Sequence, residues 1–286
     1  MSTHPVAFTK MTGAGNDFVL IDNRSLGLRH DWSAMAPDLC DRRYGIGADG
    51  LLVLQNGHGD AKFVMEYYNA DGSHGGMCGN GGRCAALYTM QAGQTDETTF
   101  EAVGHLYQAK RLGPNTIRLH MKDISSMAIA TPLNLGTHLL QAHYVDSGTA
   151  HVVLWYDDLP ADLKTGFPEM DIHSLGKAIR MHDAYAPGGT NVNVIQQVDP
   201  STIAMRTYER GVEEETLACG TGAVASAVVS HAFKHLSNHI RVITRSNEVL
   251  QVSFTAEHGR YSNVHLHGPA KFCFDGQVDP ADLTRT

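Results

Sequence analysis

The stretch "GGMCGNGGRCAALY" (Gly75–Tyr88) sets a cysteine among glycines directly before a run of small and apolar residues, a pattern typical of a helix that begins in a tight space. The stretch "LACGTGAVASAVVS" (Leu217–Ser230) repeats this arrangement in the second half of the chain. Cys78 and Cys219 lie 141 positions apart in a chain of 286 residues, and each follows a strand-like segment with a tyrosine near its end. The repetition favours an internal duplication, although two unrelated glycine-rich turns are the simpler alternative on these residues alone.

Composition and charge narrow the classes of protein. Hydrophobic residues make up 42% of the chain and charged residues 18%, an ordinary globular balance, and the formal net charge is −8. We expect no nucleic acid and no membrane as partners, because both select basic surfaces. No apolar run approaches the roughly 18 residues of a membrane-spanning helix. No export signal is visible either, so we expect a cytoplasmic protein.

The five cysteines cannot all pair in disulfides, and a cytoplasmic protein is expected to keep them reduced. Their spacing, and that of the 17 histidines, matches no usual metal-binding motif, so no metal site is predicted. Cys40, Cys84 and Cys273 are interpreted as buried apolar residues. The same interpretation is the alternative for Cys78 and Cys219, but their glycine context and their repetition favour a functional role.

Alternating apolar and polar residues predict strands in both halves. The segment "VAFTKMTGAGNDFVLIDN" (residues 6–23) predicts a strand, a tight loop and a second strand. Each half then consists of strands, a glycine-rich opening, a helix of small residues and further strands. A further helix is predicted for "DIHSLGKAIRMH" (Asp171–His182). The pattern predicts a mixed α/β fold of the α+β type.

A cysteine at a helix start has two chemical advantages. The unpaired N–H groups and the positive end of the helix dipole favour the thiolate over the thiol. Glycine leaves the same N–H groups open to an anion such as a carboxylate. If a duplicated fold brings two such thiols to one bound carboxylate, one can remove a proton from the neighbouring carbon while the other delivers a proton to the opposite face. Such a pair inverts a stereocentre without a cofactor.

The helix dipole alone shifts a thiol pKa by at most about 1.5 units, so further charged groups are expected near the thiols. His151 and the neighbouring pair Glu209 and Arg210 are the candidates. His151 could equally be a satisfied histidine at the end of a strand. The acidic run Glu213–Glu215 is interpreted as a solvent-exposed approach to the second cysteine helix.

Longer motifs carry a family resemblance. The chain resembles diaminopimelate epimerase from end to end, most clearly in "KMTGAGNDFVLID", "YYNADGSHGGMCGNGGRC" and "RTYERGVEEETLACGTGA". The resemblance implies a PLP-independent two-base epimerase that interconverts LL-2,6-diaminopimelate and meso-2,6-diaminopimelate in lysine and cell-wall precursor synthesis. It also implies a homodimer of chains with two pseudo-symmetric lobes, each a curved mixed or antiparallel sheet wrapped around a central helix. We expect the first lobe in residues 1–123 and 269–286 and the second in residues 124–268.

Carried to this chain position by position, the resemblance makes Cys78 and Cys219 the catalytic acid–base pair. It also implies that His151 and Glu209 tune the thiols and contact the substrate. The positions that match substrate recognition in the family are Asn16, Asn69, Gly79, Asn80, Thr149, Asn191, Glu209, Arg210, Gly220 and Thr221. The resemblance implies no metal and no cofactor.

The chain departs from the family pattern at three places. Thr149 and Ala150 stand where the family commonly has Asn-Pro, so the hydrogen-bonding reach of Thr149 is shorter. Gly50 stands where many members have glutamine and offers only its backbone. The segment "ERGVEEET" is one residue longer than the usual "ERGxGET", which predicts a bulge in the loop that carries Arg210.

Three other functions fit parts of the sequence. A proline or hydroxyproline racemase of the same two-thiol fold would use the same cysteines, but a small imino acid has no distant charged group for "YNADGS" and "YERG" to recognise. A phosphate- or nucleotide-binding module could use "GGMCGNGG", although no Gly-Lys-Ser/Thr follows and the net charge is negative. A non-enzymatic structural dimer leaves the doubled thiols unexplained.

Overall fold

The computed structural model describes residues 5–279 and 282–283. The chain forms two compact units, Met1–Leu119 with Gly268–Thr286 and His120–His267, whereas the motifs place the boundaries after residues 123 and 268. The elements up to the first boundary are β1 (Val6–Gly13), β2 (Asn16–Asp22), α1 (Trp32–Cys40), β3 (Gly50–Asn56), β4 (Phe63–Asn69), α2 (Gly79–Gly93), β5 (Glu97–Ala102), β6 (His105–Gly113) and β7 (Thr116–His120). The remaining elements are β8 (Ser126–Asn134), β9 (Leu139–Asp146), β10 (Ala150–Trp155), α3 (Ile172–Arg180), β11 (Asn191–Asp199), β12 (Thr202–Glu209), β13 (Glu214–Thr216), α4 (Gly220–Lys234), β14 (His239–Ile243), β15 (Val249–Glu257), β16 (Arg260–Pro269) and β17 (Lys271–Val278).

The first unit is built on a mixed sheet. Its strands lie in the order β17–β1–β2–β3–β4–β5–β6. Neighbouring strands are antiparallel except for two parallel pairs, β2 with β3 and β4 with β5. Helix α1 lies in the first parallel connection and α2 in the second, because a parallel connection must return along the length of the sheet.

The second unit repeats this topology. Its strands lie in the order β8–β9–β10–β11–β12–β14–β15–β16, and the parallel pairs are β10 with β11 and β12 with β14. Helices α3 and α4 occupy the two parallel connections, as α1 and α2 do in the first unit. The same sequence of antiparallel and parallel pairings in both halves supports the duplication, and the predicted α/β fold class is confirmed.

The two cysteine helices form the centres of their units. Every residue from Gly79 to Leu87 and from Gly220 to Ser230 is buried. Helix α2 contacts all of β1 to β6, and α4 contacts β8 to β12, β14 and β15, so each sheet curves around one helix. Small residues make this close packing possible: a Cβ at Gly81 would lie 2.9 Å from the Leu52 side chain.

The sequence patterns did not predict α1, β8 or β13. Helix α1 has nine residues with Pro37 inside, and its start is capped by the Asp31 carboxylate, which accepts a hydrogen bond from the Ala34 N–H at 3.1 Å. Strand β8 is largely exposed and contains Pro132, and β13 has only three residues. Since α1 holds the same topological position as α3, the duplication itself is the signal that points to α1.

The cysteines outside the two helix starts divide into two kinds. Cys40 and Cys84 are buried, as predicted, and burial raises the pKa of Cys40 to about 12 and raises that of Cys84 as well. The prediction for Cys273 is wrong, because this residue is exposed on β17. No disulfide joins the five cysteines, all of which lie within the described residues. Over the same residues, no helix is both long and apolar enough to cross a membrane.

The second unit contains a buried histidine outside the predicted site. His143 on β9 is fully buried, its Nδ1 accepts a hydrogen bond from the Ala130 N–H at 3.2 Å, and its ring lies 4.5 Å from that of Phe233. Burial lowers the pKa of His143 from 6.5 to about 4. The folded protein therefore keeps His143 neutral over a pH range in which the unfolded chain binds a proton.

We expect acid to destabilise the fold through His143. Between pH 6.5 and 4 the unfolded state binds more protons than the folded state, so the free energy of unfolding falls as the pH falls. The slope for this one group is about 1 kcal/mol per pH unit. His143→Asn keeps an acceptor for the Ala130 N–H and removes the titration, so its stability should depend less steeply on pH. Guanidinium unfolding at two pH values inside this range, with the exposed His239→Asn as control, measures the difference; an unchanged slope in His143→Asn would contradict the prediction.

Candidate active site

Cys78 caps the first cysteine helix. It directly precedes α2 with φ −102° and ψ 114°, and its Sγ accepts a hydrogen bond from the Gly81 N–H at 3.4 Å. The sulfur thus takes the place that a serine or aspartate oxygen occupies at many helix starts. Gly79 and Asn80 form the first turn, the part of a helix whose N–H groups lie outside its i to i−4 hydrogen bonds. This position favours the thiolate and suits the binding of a carboxylate.

A buried cation lies behind the start of α2. Arg83 is fully buried, with its Nη2 donating to Asn80 Oδ1 at 2.7 Å and its Nε donating to the Pro269 carbonyl at 3.2 Å. Its Nη1 has no hydrogen-bond partner among the described residues. Burial lowers the pKa of Arg83 to about 10, so the side chain is still charged at neutral pH. This charge, five positions after Cys78, favours a negative charge at the helix start. Arg83 is not among the residues predicted from the sequence, although a charged residue within a small-residue helix is a visible signal.

Two predicted residues, Asn16 and Asn80, are brought together at the same helix start. Asn80 Nδ2 donates a hydrogen bond to Asn16 Oδ1. Asn16 pairs with Gly13 across a two-residue turn in which Ala14 and Gly15 have φ values of 55° and 95°, as in the tight turns that suit twisted hairpins. A Cβ at Gly13 would lie 2.9 Å from the Asn80 carbonyl oxygen, so glycine lets the turn rest on the helix.

A charged cluster holds Asn16 from its other side. Asn16 Nδ2 donates to Asp49 Oδ2 at 3.1 Å, and Arg42 lies 2.7 Å from both Asp49 and Asp17. Burial opposes ionisation of Asp17, but hydrogen bonds from Arg42 and Lys10 outweigh burial and lower its pKa to about 2. Asp17 is therefore ionised at neutral pH, and the cluster fixes the amide of Asn16.

Asn69 ends β4 and begins the segment that leads to Cys78. Its Nδ2 donates to Ser73 Oγ at 2.9 Å, and its N–H donates to the Ser73 carbonyl at 2.9 Å. Gly50 pairs with Asn69 across β3 and β4. A Cβ at Gly50 would lie 2.5 Å from Tyr67 Cε2, so the Tyr67 ring occupies the space that a side chain would need. Glycine at this departure from the family pattern therefore has a packing cause.

Cys219 caps α4 in the same way as Cys78 caps α2. It has φ −127° and ψ 115°, and its Sγ accepts a hydrogen bond from the Gly222 N–H at 3.3 Å. Gly222 is needed here, since a Cβ would lie 2.5 Å from Asn193 Oδ1 and 3.2 Å from Cys219 Sγ. The predicted position of both cysteines at helix starts is confirmed, and their catalytic role stays a prediction.

Three polar side chains named from the sequence meet beside Cys219. Thr149 Oγ1 lies 3.0 Å from His151 Nε2 and donates to Thr221 Oγ1 at 3.2 Å, and His151 Nε2 lies 2.9 Å from Thr221 Oγ1. Thr221 Oγ1 in turn lies 3.6 Å from Cys219 Sγ. Burial, together with the charge of Arg210, lowers the pKa of His151 to about 3. His151 is therefore neutral at physiological pH and reaches Cys219 through Thr221.

Two residues that were not predicted complete this network. Asn193 Nδ2 lies 2.9 Å from His151 Nδ1, and Asn193 Oδ1 accepts a hydrogen bond from Thr207 Oγ1 at 2.8 Å. Both Asn193 and Thr207 are buried. Strand alternation is the signal that could have found Asn193, because it lies two positions after Asn191 on β11 and hence on the same face.

Asn191 and Arg210 are brought together, as the motifs suggest. Asn191 Oδ1 accepts a hydrogen bond from the Arg210 N–H at 2.9 Å, and Asn191 Nδ2 donates to the Ala150 carbonyl at 3.0 Å. Arg210 Nη1 donates to the carbonyls of Gly188 at 3.1 Å and Gly189 at 3.4 Å. These contacts orient the guanidinium through one of its nitrogens.

The extra residue of "ERGVEEET" lies in the hairpin between β12 and β13, which is closed by the pair Glu209 and Glu214. Within this hairpin the Glu213 N–H donates to the Glu209 carbonyl at 2.8 Å, and Glu213 adopts φ 59°. Glu213 Oε1 accepts hydrogen bonds from the Gly211 N–H at 3.0 Å and from Arg180 Nε at 3.2 Å. The loop that carries Arg210 is therefore tied to α3.

The interpretation of Glu213–Glu215 as a solvent-exposed helix approach fits Glu214, which is exposed, but is wrong for Glu215. Glu214–Thr216 forms β13, and Glu215 accepts two hydrogen bonds from the buried Arg206 at 2.7 and 2.8 Å. Arg206 needs this carboxylate because a buried guanidinium requires a charged partner. Thr216 Oγ1 donates to Glu209 Oε2 at 2.9 Å, so the same short strand positions Glu209.

Each unit thus offers a thiol at a helix start, backed by buried polar side chains. Over residues 5–279 and 282–283, no three His, Cys, Asp or Glu side chains are grouped in a way that could hold a metal ion. Thiol, amide and hydroxyl groups at two helix starts suit proton transfer next to a bound carboxylate.

Sequence comparison decides the family. The model of the diaminopimelate epimerase family matches residues 8–106 and 143–272, which include both helix starts. The chain belongs to the diaminopimelate epimerase family. The resemblance inferred from the motifs is therefore confirmed, and the enzyme class is an amino-acid isomerase.

Relatives in this family are similar over almost their whole length. A diaminopimelate epimerase of Flavobacterium psychrophilum is 38% identical over 271 residues, which cover 94% of this chain and 98% of the relative. The diaminopimelate epimerase of Chlorobaculum tepidum is 39% identical over 272 residues, which cover 94% of this chain and 99% of the relative. A solved structure of a probable proline racemase from Agrobacterium radiobacter has a TM-score of 0.70 at 13% identity and covers 97% of this chain and 95% of its own. This last likeness shows a shared fold only.

Proposed function

We propose that this member of the diaminopimelate epimerase family interconverts LL-2,6-diaminopimelate and meso-2,6-diaminopimelate without a cofactor, with Cys78 and Cys219 as its acid–base pair. The observation that carries the proposal is the repeated cap: each thiol accepts the N–H of the residue three positions on, at 3.4 and 3.3 Å, at the start of a buried central helix. Two identical thiol positions in one chain fit a reaction that needs one proton carrier for each face of a carbon.

The helix starts supply two functions at once. The cap hydrogen bond and the helix dipole stabilise a thiolate, and the dipole contributes about 0.3–1 kcal/mol, or up to about 2 kcal/mol when partly buried. The N–H groups of Gly79 and Asn80, and those of Gly220 and Thr221, are donors for the carboxylate next to the reacting carbon. Donors aimed at that carboxylate also stabilise the negative charge that moves onto it when the α-proton leaves.

The proton balance of the reaction is simple. One cysteine thiolate takes the α-proton and becomes a thiol, and the electron pair of the broken C–H bond moves into the neighbouring carboxylate. The other cysteine, present as a thiol, gives its proton to the opposite face and becomes a thiolate. The carbon is inverted, no net proton is gained or lost, and exchange with solvent returns the two thiols to their starting states.

Polar side chains in both units are assigned to the substrate. Asn16 and Asn69 in the first unit, and Asn191 and Arg210 in the second, supply amide and guanidinium groups for the amino and carboxylate groups of diaminopimelate. Arg210 is the group that fits the distant carboxylate, because a guanidinium can bind a carboxylate through two parallel hydrogen bonds.

Three further residues tune this machinery. Glu209 Oε2 is held by Thr216 at 2.9 Å and supplies a carboxylate for the thiols and the substrate amine. His151 acts on Cys219 as a neutral hydrogen-bonding group, because its charged form is strongly disfavoured by burial. Thr149 supports Thr221 through their hydrogen bond at 3.2 Å.

Reaction in D₂O tests the two-base mechanism. The delivering thiol has exchanged with solvent, so the early product should carry deuterium at the inverted carbon. The unreacted substrate should stay largely protiated, because the abstracting thiol holds the substrate's own proton and tends to return it. Mass spectrometry of product and residual substrate at low conversion measures both. Product that kept most of its protium would indicate a single base and leave the second cysteine unexplained.

We further propose that the enzyme is a cytoplasmic homodimer. Reduced cysteines suit a reducing compartment. On β17, Phe272 and Phe274 are 38% and 53% exposed, and large exposed aromatic side chains favour a surface that a second copy covers. Sedimentation equilibrium should give a mass of about twice 31.0 kDa, and Phe274→Glu should lower it. A wild-type monomer at micromolar concentration would contradict the dimer.

A further inference from the structure

A continuous line of hydrogen bonds runs through the second unit to the sulfur of Cys219. Thr207 Oγ1 donates to Asn193 Oδ1 at 2.8 Å, and Asn193 Nδ2 lies 2.9 Å from His151 Nδ1. His151 Nε2 lies 2.9 Å from Thr221 Oγ1, which lies 3.6 Å from Cys219 Sγ. Thr207, Asn193 and His151 are at most 1% exposed, so each of them depends on these partners to satisfy its polar atoms.

The direction of donation is fixed at the buried end of this line. Asn193 Oδ1 accepts the hydrogen of Thr207, so the amide presents its NH₂ group to His151. His151 Nδ1 is then the acceptor, and the ring proton of a neutral imidazole lies on Nε2. Burial, with the charge of Arg210, lowers the pKa of His151 to about 3, so the ring carries one proton at neutral pH. Gly222 leaves room for this arrangement, since a Cβ there would lie 2.5 Å from Asn193 Oδ1.

The hydroxyl of Thr221 links His151 to the thiol of Cys219, and the donation by His151 sets which way the Thr221 hydrogen points. Its oxygen accepts from Thr149 Oγ1 at 3.2 Å and from His151 Nε2 at 2.9 Å, an N–H that also faces Thr149 Oγ1 at 3.0 Å, so both lone pairs of the Thr221 oxygen are engaged. The hydrogen of Thr221 is then left for Cys219 Sγ, and an O–H donor stabilises a thiolate more than a thiol. In α2 the matching position is Asn80, whose amide binds other side chains, so the two thiols are supported by different groups.

We propose that Asn193, oriented by Thr207, is a positioning residue that fixes His151 as its Nε2–H tautomer and thereby lets Thr221 donate to the Cys219 thiolate. This inference rests on the proposed role of Cys219 in proton transfer. In the opposite tautomer, Nε2 of His151 would accept the hydrogen of Thr221, because the hydrogen of Thr149 is already donated to Thr221, and Cys219 would lose that donor. The buried amide thus sets the state of a thiol that it does not touch.

The tautomer of His151 can be measured in the wild-type protein. Nitrogen-15 NMR of histidine-labelled protein distinguishes a ring N–H from an unprotonated ring nitrogen, and His151→Gln identifies the signals by their absence. We expect an unprotonated Nδ1 and a protonated Nε2 at neutral pH. A proton on Nδ1 would overturn the proposal, and this measurement requires neither turnover nor a folded variant of Asn193.

Asn193→Asp tests the role of the amide without changing its size. A carboxylate offers only acceptors to His151 Nδ1, so the ring proton should move to Nδ1 in the same spectra. An Nε2–H tautomer that persisted in Asn193→Asp would show that the amide does not set it.

An uncharged pair of variants tests the effect on the thiol. Thr207→Val removes the donor that orients Asn193, whereas Thr207→Ser keeps it. The apparent pKa of Cys219 is read from thiolate ultraviolet absorbance as a difference against the Cys219→Ser form of each protein. Thr207→Val should raise this pKa and lower kcat by about 3- to 10-fold with little change in KM, and Thr207→Ser should resemble the wild type.

A matched control separates this effect from a general loss of packing. Ser226 is another buried hydroxyl on α4, and it bonds to Met205 Sδ at 3.4 Å, outside the line. Ser226→Ala should leave the Cys219 titration unchanged. A wild-type titration in Thr207→Val, or an equal shift in Ser226→Ala, would overturn the proposal. Failure of the proposed function is seen separately, as epimerisation that survives Cys219→Ala.

Discussion

Replacing Cys78 or Cys219 by alanine is expected to lower kcat for epimerisation by about 10²- to 10⁴-fold or more, because each thiol carries an obligatory proton transfer on one face of the carbon. The cost to the fold is smaller, since alanine removes one helix-cap hydrogen bond worth about 0.5–2 kcal/mol. Chiral separation of the product formed from LL-diaminopimelate measures the loss, and circular dichroism with thermal unfolding checks that each variant is folded.

Serine at either position separates capping from acid–base chemistry. A serine oxygen is a good helix cap, but a hydroxyl holds its proton at neutral pH, whereas a thiol with a pKa of about 8.5 exchanges readily. Cys78→Ser and Cys219→Ser should therefore regain stability and remain inactive. Cys273→Ser, at the exposed cysteine of β17, controls for the mere loss of a thiol. Activity above about a tenth of the wild type in either alanine variant would be incompatible with two obligatory thiols.

Arg210 is expected to make the enzyme prefer diaminopimelate over lysine. Lysine lacks the distant carboxylate, so it forgoes a charge-assisted hydrogen bond worth about 1.5–3 kcal/mol. We expect kcat/KM for diaminopimelate to exceed that for lysine by about 10- to 150-fold, before any effect of leaving the guanidinium unpaired. Arg210→Met should remove most of this preference by lowering the diaminopimelate value, with little effect on lysine.

Two variants sharpen the test of Arg210. Arg210→Lys keeps the charge and loses the planar fork, so it should retain part of the preference. Arg180→Met removes the guanidinium that holds the loop through Glu213 at 3.2 Å, and it should change kcat/KM for both substrates by the same factor. Equal kcat/KM for the two substrates in the wild type would rule out this role for Arg210.

The fold was predictable where the chain's local pattern decides it. The "TGAGND" turn formed as predicted, because Gly15 adopts a positive φ without a steric cost and the flanking residues alternate. Both cysteine helices formed because a capping side chain precedes a run of small residues. Helix α1 and strand β13 were not predicted, because nine residues with an internal proline, or three residues alone, carry too little periodicity.

The candidate site was predictable in part. The motifs named Asn16 and Asn80, which form a direct hydrogen bond, and His151 and Thr221, which do the same. They did not name Asn193, because its proposed role depends on hydrogen bonds to residues on two neighbouring strands. Nor did they explain Gly50, which is required by a tyrosine ring on the neighbouring strand.

The sequence by itself determined the family, the two thiols and their place at helix starts, because capping depends on residues within one turn of each cysteine. Only the tertiary structure decided which buried polar and charged side chains support the two thiols. The Arg83 guanidinium is a buried charge because a sheet curves around α2. The side chains of Thr207, Asn193 and His151 meet because the strands β12, β11 and β10 pair side by side in a single register. Such contacts join residues that are far apart in the chain, 70 positions for His151 and Thr221 and 186 for Arg83 and Pro269. Their strength comes from the exclusion of water, which no local pattern records.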